Sequence, residues 1–257
     1  MSNNNKKTNL YYLKIFLRKI FNTFFQVNLF SINYSKFYNK KSFIFTLLAK
    51  FIWFIPSNFQ AIYWKNSENL KHGHEHFTEM SGNEYQFPLL LKKEICYYAS
   101  KDDKILDVCC SVGRMLNALS EDGYSKLYGF DINKIAIDQS KKVFVNLKNA
   151  DLVSQSAEEY LPTRVNNEFD IVFALSASLE LIPANFPLVQ EISRITKKYF
   201  ICIISDHDHA YPRFWSYEFK RNNFTILKCY KVARQKKDIK NASHTMFVLK
   251  KINRVLT

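Results

Sequence analysis

The stretch ILDVCCSVGR, residues 105–114, decides how the rest of the chain is read. Its start reads as a buried strand, KILDVC over 104–109, and a helix is expected from about Gly113 to Glu121. Strand-to-helix junctions in nucleotide-binding proteins carry glycines, because backbone must approach the ligand closely. Here Cys109, Cys110 and Ser111 take most of that space, and only Gly113 remains. The stretch could be a metal or redox dithiol, a damaged nucleotide loop, or a working loop with unusual residues.

The dithiol reading is the weakest. Adjacent strand residues point to opposite faces, so Cys109 and Cys110 do not converge on one metal. The five cysteines, Cys96, Cys109, Cys110, Cys202 and Cys229, form no spaced pairs of the zinc-ribbon kind. An odd number in a long chain suits free thiols in a reducing compartment. No metal is expected.

Outward from the loop, strand-like and helix-like segments alternate. KLYGFD (126–131) is the next strand and IAIDQSKKVFVNL (135–147) the next helix. A short strand is expected at DLVSQ (151–155), then FDIVFAL (169–175), a helix at about 184–196, and KKYFICIIS (197–205). This rhythm calls for a parallel sheet with helices on both faces. The ending differs: FTILKCYKV (224–232) and HTMFVLKKI (244–252) are separated by a short polar linker. Strands joined that closely pair antiparallel, because parallel pairing needs a longer crossover. The expected fold is therefore α/β: a doubly wound, mostly parallel seven-stranded sheet closed by a C-terminal antiparallel hairpin.

In open α/β sheets the ligand lies beyond the carboxyl ends of the strands. The first strand delivers Asp107 and the 109–113 loop; the second ends in Asp131, where an acid can accept hydrogen bonds from both ribose hydroxyls. Behind the third strand lie Ser156, Ala157 and Glu158, and the fourth ends in Ala174-Leu175-Ser176, small enough for a pocket floor. These positions converge on one nucleoside-sized site.

This series resembles the class I S-adenosylmethionine-dependent methyltransferases. ILDVCCSVGR is similar to that family's first motif, YGFDIN to its ribose-binding acid, and NADLVSQSAEEYLP to its adenine segment. FDIVFALSASLELIP is similar to the fourth-strand motif, and EISRITKKYFICI to the helix and strand after it. The likeness covers roughly residues 84–257. It implies a Rossmann-like fold and S-adenosylmethionine as cofactor, held by Asp107, Cys109, Ser111, Gly113, Asp131, Ile132, Ser156, Ala157 and Ala174.

Within the family, the chain resembles bacterial methyltransferases found with surface-polysaccharide biosynthesis. Those also carry Ser or Asn at the second loop position and an acid–His stretch before an aromatic PR segment, as in DHDHAYPRFW at 206–215. A sugar or glycolipid hydroxyl is the implied acceptor, and His207 the expected base, since imidazole titrates near neutrality. Two positions depart from the family: its first loop glycine is Cys109, and its frequent His after the fourth-strand Glu is Leu181. A side chain at 109 fits an extended backbone but is strained at positive φ.

Charge divides the chain into three. Residues 1–66 hold ten Lys or Arg and no acid; 67–219 hold sixteen basic and twenty-two acidic residues; 220–257 hold eleven basic and one acidic. Basic ends could meet anionic lipid, nucleic acid or an acidic glycan, or be solvated surface. From Leu10 to Phe30, Lys14, Arg18, Asn22 and Gln26 recur every four positions among Leu, Ile and Phe, which predicts a helix with a broad aromatic face. FIFTLLAKFIWFIP (43–56) is shorter than the roughly 20 apolar residues that span a bilayer.

Residues 10–56 are thus read either as an interfacial contact with anionic membrane or as helices packed on the main domain. The expected organisation is a basic, aromatic-rich helical extension over 1–66 and a methyltransferase domain over 67–257, in the cytoplasm or at the inner membrane face. RNA as acceptor and a non-catalytic interaction module are the alternatives. His72, His74 and His76 form a further cluster, read as a polar segment over the cofactor or exposed, with a metal site the lesser alternative.

Overall fold

The computed structural model describes residues 64–65, 86–176, 178–183, 185–205, 213–233 and 244–252. The helices expected over 10–30 and 43–56, His72, His74 and His76, and the DHDH stretch with His207 lie outside them.

Seven strands form one sheet: β1 Ile105–Val108, β2 Leu127–Asp131, β3 Asp151–Ser154, β4 Phe169–Ala174, β5 Thr196–Ser205, β6 Phe224–Val232 and β7 His244–Lys251. Their order is β3-β2-β1-β4-β5-β7-β6. The first five are parallel, and β7 runs antiparallel between β5 and β6. The expected architecture is the one observed, with the last strand taking the inner place in the hairpin.

Helices α1 Phe87–Tyr98, α2 Arg114–Glu121, α3 Lys134–Val143, α4 Ala157–Tyr160, α5 Leu188–Ile195 and α6 Trp215–Arg221 flank the sheet. Two apolar clusters fill its faces, and strand alternation sorts residues between them. Phe200, Cys202 and Ile204 of β5 join Leu106, Val172 and Phe247 on one face. Ile201 and Ile203 join Leu91 and Ile95 of α1, with Met246 and Val248 of β7, on the other. Each such buried side chain contributes roughly 1.5–3 kcal/mol relative to exposure. Glu94 of α1 accepts from Lys228 Nζ (2.8 Å) and Tyr230 Oη (3.2 Å), tying this helix to the edge strand.

Two expected helices are shorter than their sequence ranges. The one expected from about 184 begins at Leu188, because Pro187 closes the preceding loop. The one expected to reach 147 ends at Val143, and a 3-10 segment follows over Val145–Asn149. That change of pitch buries Leu147 beneath Gly113, where an added Cβ would stand 2.8 Å from Leu147 Cδ1. Helices α1 and α6 and the short α4 have no counterpart in the sequence expectations.

Candidate functional site

Loop 109–113 rises from the carboxyl end of β1 with three alternate residues in the left-handed region: Cys109 at φ 59°, Ser111 at 52° and Gly113 at 79°. Position 109 therefore takes the backbone conformation at which a side chain is strained. Cys109 is half-buried, and its thiol packs against the cluster that contains Leu106, Val108 and Phe130. The backbone thus keeps a shape suited to three glycines, at a cost of about 1–2 kcal/mol for each L-residue held there. Burial, then Asp131 and Asp107, push the Cys109 thiol well above its usual range, and Cys110 is raised in the same way. Both stay protonated at neutral pH, so neither offers a ready thiolate nucleophile.

Asp131, at the end of β2, organises the loop. Its Oδ2 accepts the Ser111 N–H (2.9 Å) and its Oδ1 the Asn133 N–H (2.8 Å). Its carbonyl oxygen accepts the Gln155 N–H, joining β3 to the same rim. Asn133 caps α3, its Oδ1 accepting from Ile135 N and Ala136 N. The Asn133 Nδ2 donates to the carbonyl oxygen of Trp64 (3.0 Å), so Trp64 docks beside the end of β2. Ile132, between them, is half-buried.

Asp107 is buried behind the loop. Burial and the neighbouring Asp131 raise its carboxyl well above the usual range, while Arg114 pulls it back. Ser156 caps α4 in a reciprocal box: its Oγ accepts the Glu159 N–H and its N–H donates to Glu159 Oε2. That leaves buried Ala157 to present an apolar contact at this corner. Ala174 is fully buried within the core, so the rim above β4 is formed by Leu175 and Ser176 instead. Asp107, Gly113, Asp131 and the β3 corner thus stand along one rim of the sheet.

Beyond β4, Arg213 holds the loop in place. Its Nη1 donates to Leu179 O (3.0 Å), and its Nη2 to Ile182 O (3.0 Å) and Pro183 O (2.7 Å). Glu180, buried in the same turn, accepts the Ser205 N–H at the end of β5. Sequence reasoning gave Arg213, Asn133, Ser205 and His244 no role; the only signal for Arg213 was its PR dipeptide after the DHDH stretch.

Asp131, Asp107, Glu158 and Glu180 all lie near enough to the Cys109 thiol to add to the rise that burial chiefly causes, so acidic groups cluster at this rim. That donor set fits S-adenosylmethionine: an acid whose oxygens retain lone pairs for a ribose, an apolar corner for adenine, and negative charge for the sulfonium and amino group. Asp131, Asp107, the 109–113 backbone and Ala157 would hold it, and when bound it supplies an activated methyl group.

Comparison with known proteins agrees. A methyltransferase-domain family model matches residues 99–247, more than half of the chain. A demethylmenaquinone methyltransferase of Bacillus mycoides (strain KBAB4) is 33% identical over 100 residues, covering 37% of this chain. The match spans 40% of that enzyme's length. A magnesium protoporphyrin IX methyltransferase from Synechocystis PCC 6803 with bound SAH superposes with a TM-score of 0.56 at 11% identity, over 75% of this chain and 100% of that one. A TehB-like SAM-dependent methyltransferase from Corynebacterium glutamicum gives 0.51 at 18% identity, over 63% and 87%. Fold and site define an S-adenosylmethionine-dependent methyltransferase. The chain belongs to the methyltransferase-domain family.

Proposed function

We propose that this enzyme methylates a hydroxyl of a sugar or glycolipid acceptor, working in the cytoplasm or at the inner membrane face. The observation that carries this reading is the polar floor at the carboxyl end of β5, where Glu180 and Ser205 are buried beside the acidic cofactor hollow. A polyol is recognised by such groups, since buried polar atoms need hydrogen-bond partners. In the overall change the acceptor oxygen gains the methyl carbon, the carbon–sulfur pair stays with sulfur, and the hydroxyl proton leaves to a base.

The resemblance to polysaccharide-associated methyltransferases supports the acceptor class. The basic, aromatic segment 10–56 supports contact with an anionic membrane surface, where glycolipid substrates reside. No helix among the described residues is long and apolar enough to cross a membrane.

The test has two stages. Calorimetry with the purified chain should show binding of S-adenosylmethionine and of its demethylated product; absence of both ends the reading. Mass spectrometry of glycans and lipids from cells lacking the protein should then reveal a saccharide short of one methyl group. A missing methyl on a quinone, the acceptor class named for the Bacillus relative, would replace the sugar as acceptor.

A further inference from the structure

Ser205 and His244 face each other across β5 and β7, and Glu180, from the turn after β4, reaches the Ser205 backbone. Ser205, Glu180 and His244 are exposed by 6%, 1% and 9%. Ser205 and His244 are direct partners in the antiparallel β5–β7 ladder. Opposite residues in such a ladder project to the same face, with Cβ atoms roughly 4.5–5.5 Å apart. The face is that of Ile201, Ile203, Met246 and Val248, where Phe87 of α1 also packs. The His244 ring lies against the Phe87 ring at 4.5 Å between centroids.

Position matters more than proximity. Because β7 runs against the parallel strands, its first residue stands at their carboxyl ends, the rim on which the cofactor loop stands. Glu180 links the two halves: its carboxylate accepts the Ser205 N–H, and its charge adds to the rise that burial chiefly causes in the thiols of Cys109 in the loop and Cys202 in β5. Among the described residues the Ser205 hydroxyl finds no hydrogen-bond partner. A buried hydroxyl left unpaired is unfavourable, and a ligand that pairs it removes that penalty. His244 is the one imidazole among the described residues.

We infer that Ser205 and His244 form the acceptor-binding pair of this enzyme. Ser205 hydrogen-bonds the acceptor's hydroxyl, and His244 takes its proton and passes it to water as the oxygen–methyl bond forms and the methyl–sulfur pair stays on sulfur. This rests on the hydroxyl-acceptor reading above and names the residues that execute it. An acceptor of O–H chemistry suits this pair, since a carbon nucleophile would leave the Ser205 hydroxyl as unpaired as before.

The test uses the full chain with Ser205→Ala and His244→Gln, and reads stability, cofactor binding and transfer separately. Ser205→Ala should melt no lower than the natural chain, since it removes an unpaired hydroxyl. Both variants should bind S-adenosylmethionine within about twofold of the natural affinity. Methyl-tritiated cofactor is then given with lipid, saccharide and low-mass fractions from cells lacking the protein. His244→Gln should lower kcat about a hundredfold or more, the scale of a lost general base, and Ser205→Ala should raise KM for the fraction that accepts the label.

A lower melting temperature for Ser205→Ala means the hydroxyl is structurally satisfied and overturns the assignment. Transfer that survives both substitutions also overturns the pair's role while leaving the enzyme's function intact. A natural chain that binds cofactor yet labels no fraction overturns the acceptor reading and the pair with it. Should His244→Gln fail to fold, Ser205→Ala decides alone, because its melting temperature must not fall while its KM must rise.

Discussion

Replacing Cys109 by glycine and, separately, by alanine isolates the backbone of the cofactor loop. Both variants lose the thiol, so its packing cancels from the comparison. At φ 59° alanine keeps a Cβ in the left-handed region, which costs about 1–2 kcal/mol. Glycine is free of that cost but gives up about 0.5–1 kcal/mol through the greater freedom of its unfolded chain. Cys109→Gly should therefore be the more stable variant by roughly 0.5–1 kcal/mol, or about 1–4 °C in Tm for a chain of this size.

At an extended or right-handed position the order inverts, with alanine ahead by about 0.5–1 kcal/mol. The sign alone thus reports the backbone. Cofactor-free thermal melts followed by circular dichroism, with urea titrations at one temperature, measure it. A Cys109→Ala melting point at or above that of Cys109→Gly would refute the left-handed assignment, and with it the idea that this loop keeps a glycine shape without glycines.

Three further outcomes follow from the same rim. Asp131→Ala should free the Ser111 and Asn133 N–H groups, destabilise the chain by about 1–3 kcal/mol and abolish measurable cofactor binding in calorimetry; unchanged affinity would discard the ribose assignment. Asp107 carries a raised carboxyl pKa, so the folded chain holds a proton there that the unfolded chain has released above about pH 4. Its contribution is fully present below that pH and lost as pH rises through the folded value; Asp107→Asn should flatten this fall in a series of melts, and an unaltered slope would assign it elsewhere. Arg213→Ala removes the side-chain donor shared by the carbonyls of Leu179, Ile182 and Pro183, of which Leu179 and Pro183 keep a backbone N–H, and should cost about 1–3 kcal/mol in denaturant titrations. Arg213→Lys should recover little of it, since an ammonium cannot reproduce the planar fork.

The strands were legible because each apolar run is short, bounded by polar or turn residues, and spaced by segments of helical length. The strand-end rule then placed Asp107 and Asp131 at one rim before any coordinates. Backbone sign at Cys109 and Ser111 was not legible, because cysteine and serine give no hint of positive φ and the loop is held there by Asp131 from another strand. Ala174 sounded like a pocket floor from its size alone, yet its place between β1 and β5 puts it in the core. The pairing of Ser205 with His244 depends on β7 rather than β6 lying against β5. A hairpin's sequence predicts that its strands pair and says nothing of which one faces inward.

That inward place gives the order of synthesis a meaning. β6 leaves the ribosome before β7, yet β7 separates it from the rest of the sheet, so β6 cannot add to the sheet until its successor is made. Until then β5 shows an open edge from Tyr199 to Ser205, rich in isoleucine, of the kind that templates unwanted strand pairing. Truncation between Ser205 and His244 would keep all five parallel strands and still leave that edge bare. Loss of β7 is thus expected to give insoluble protein, because that strand seals the β5 edge.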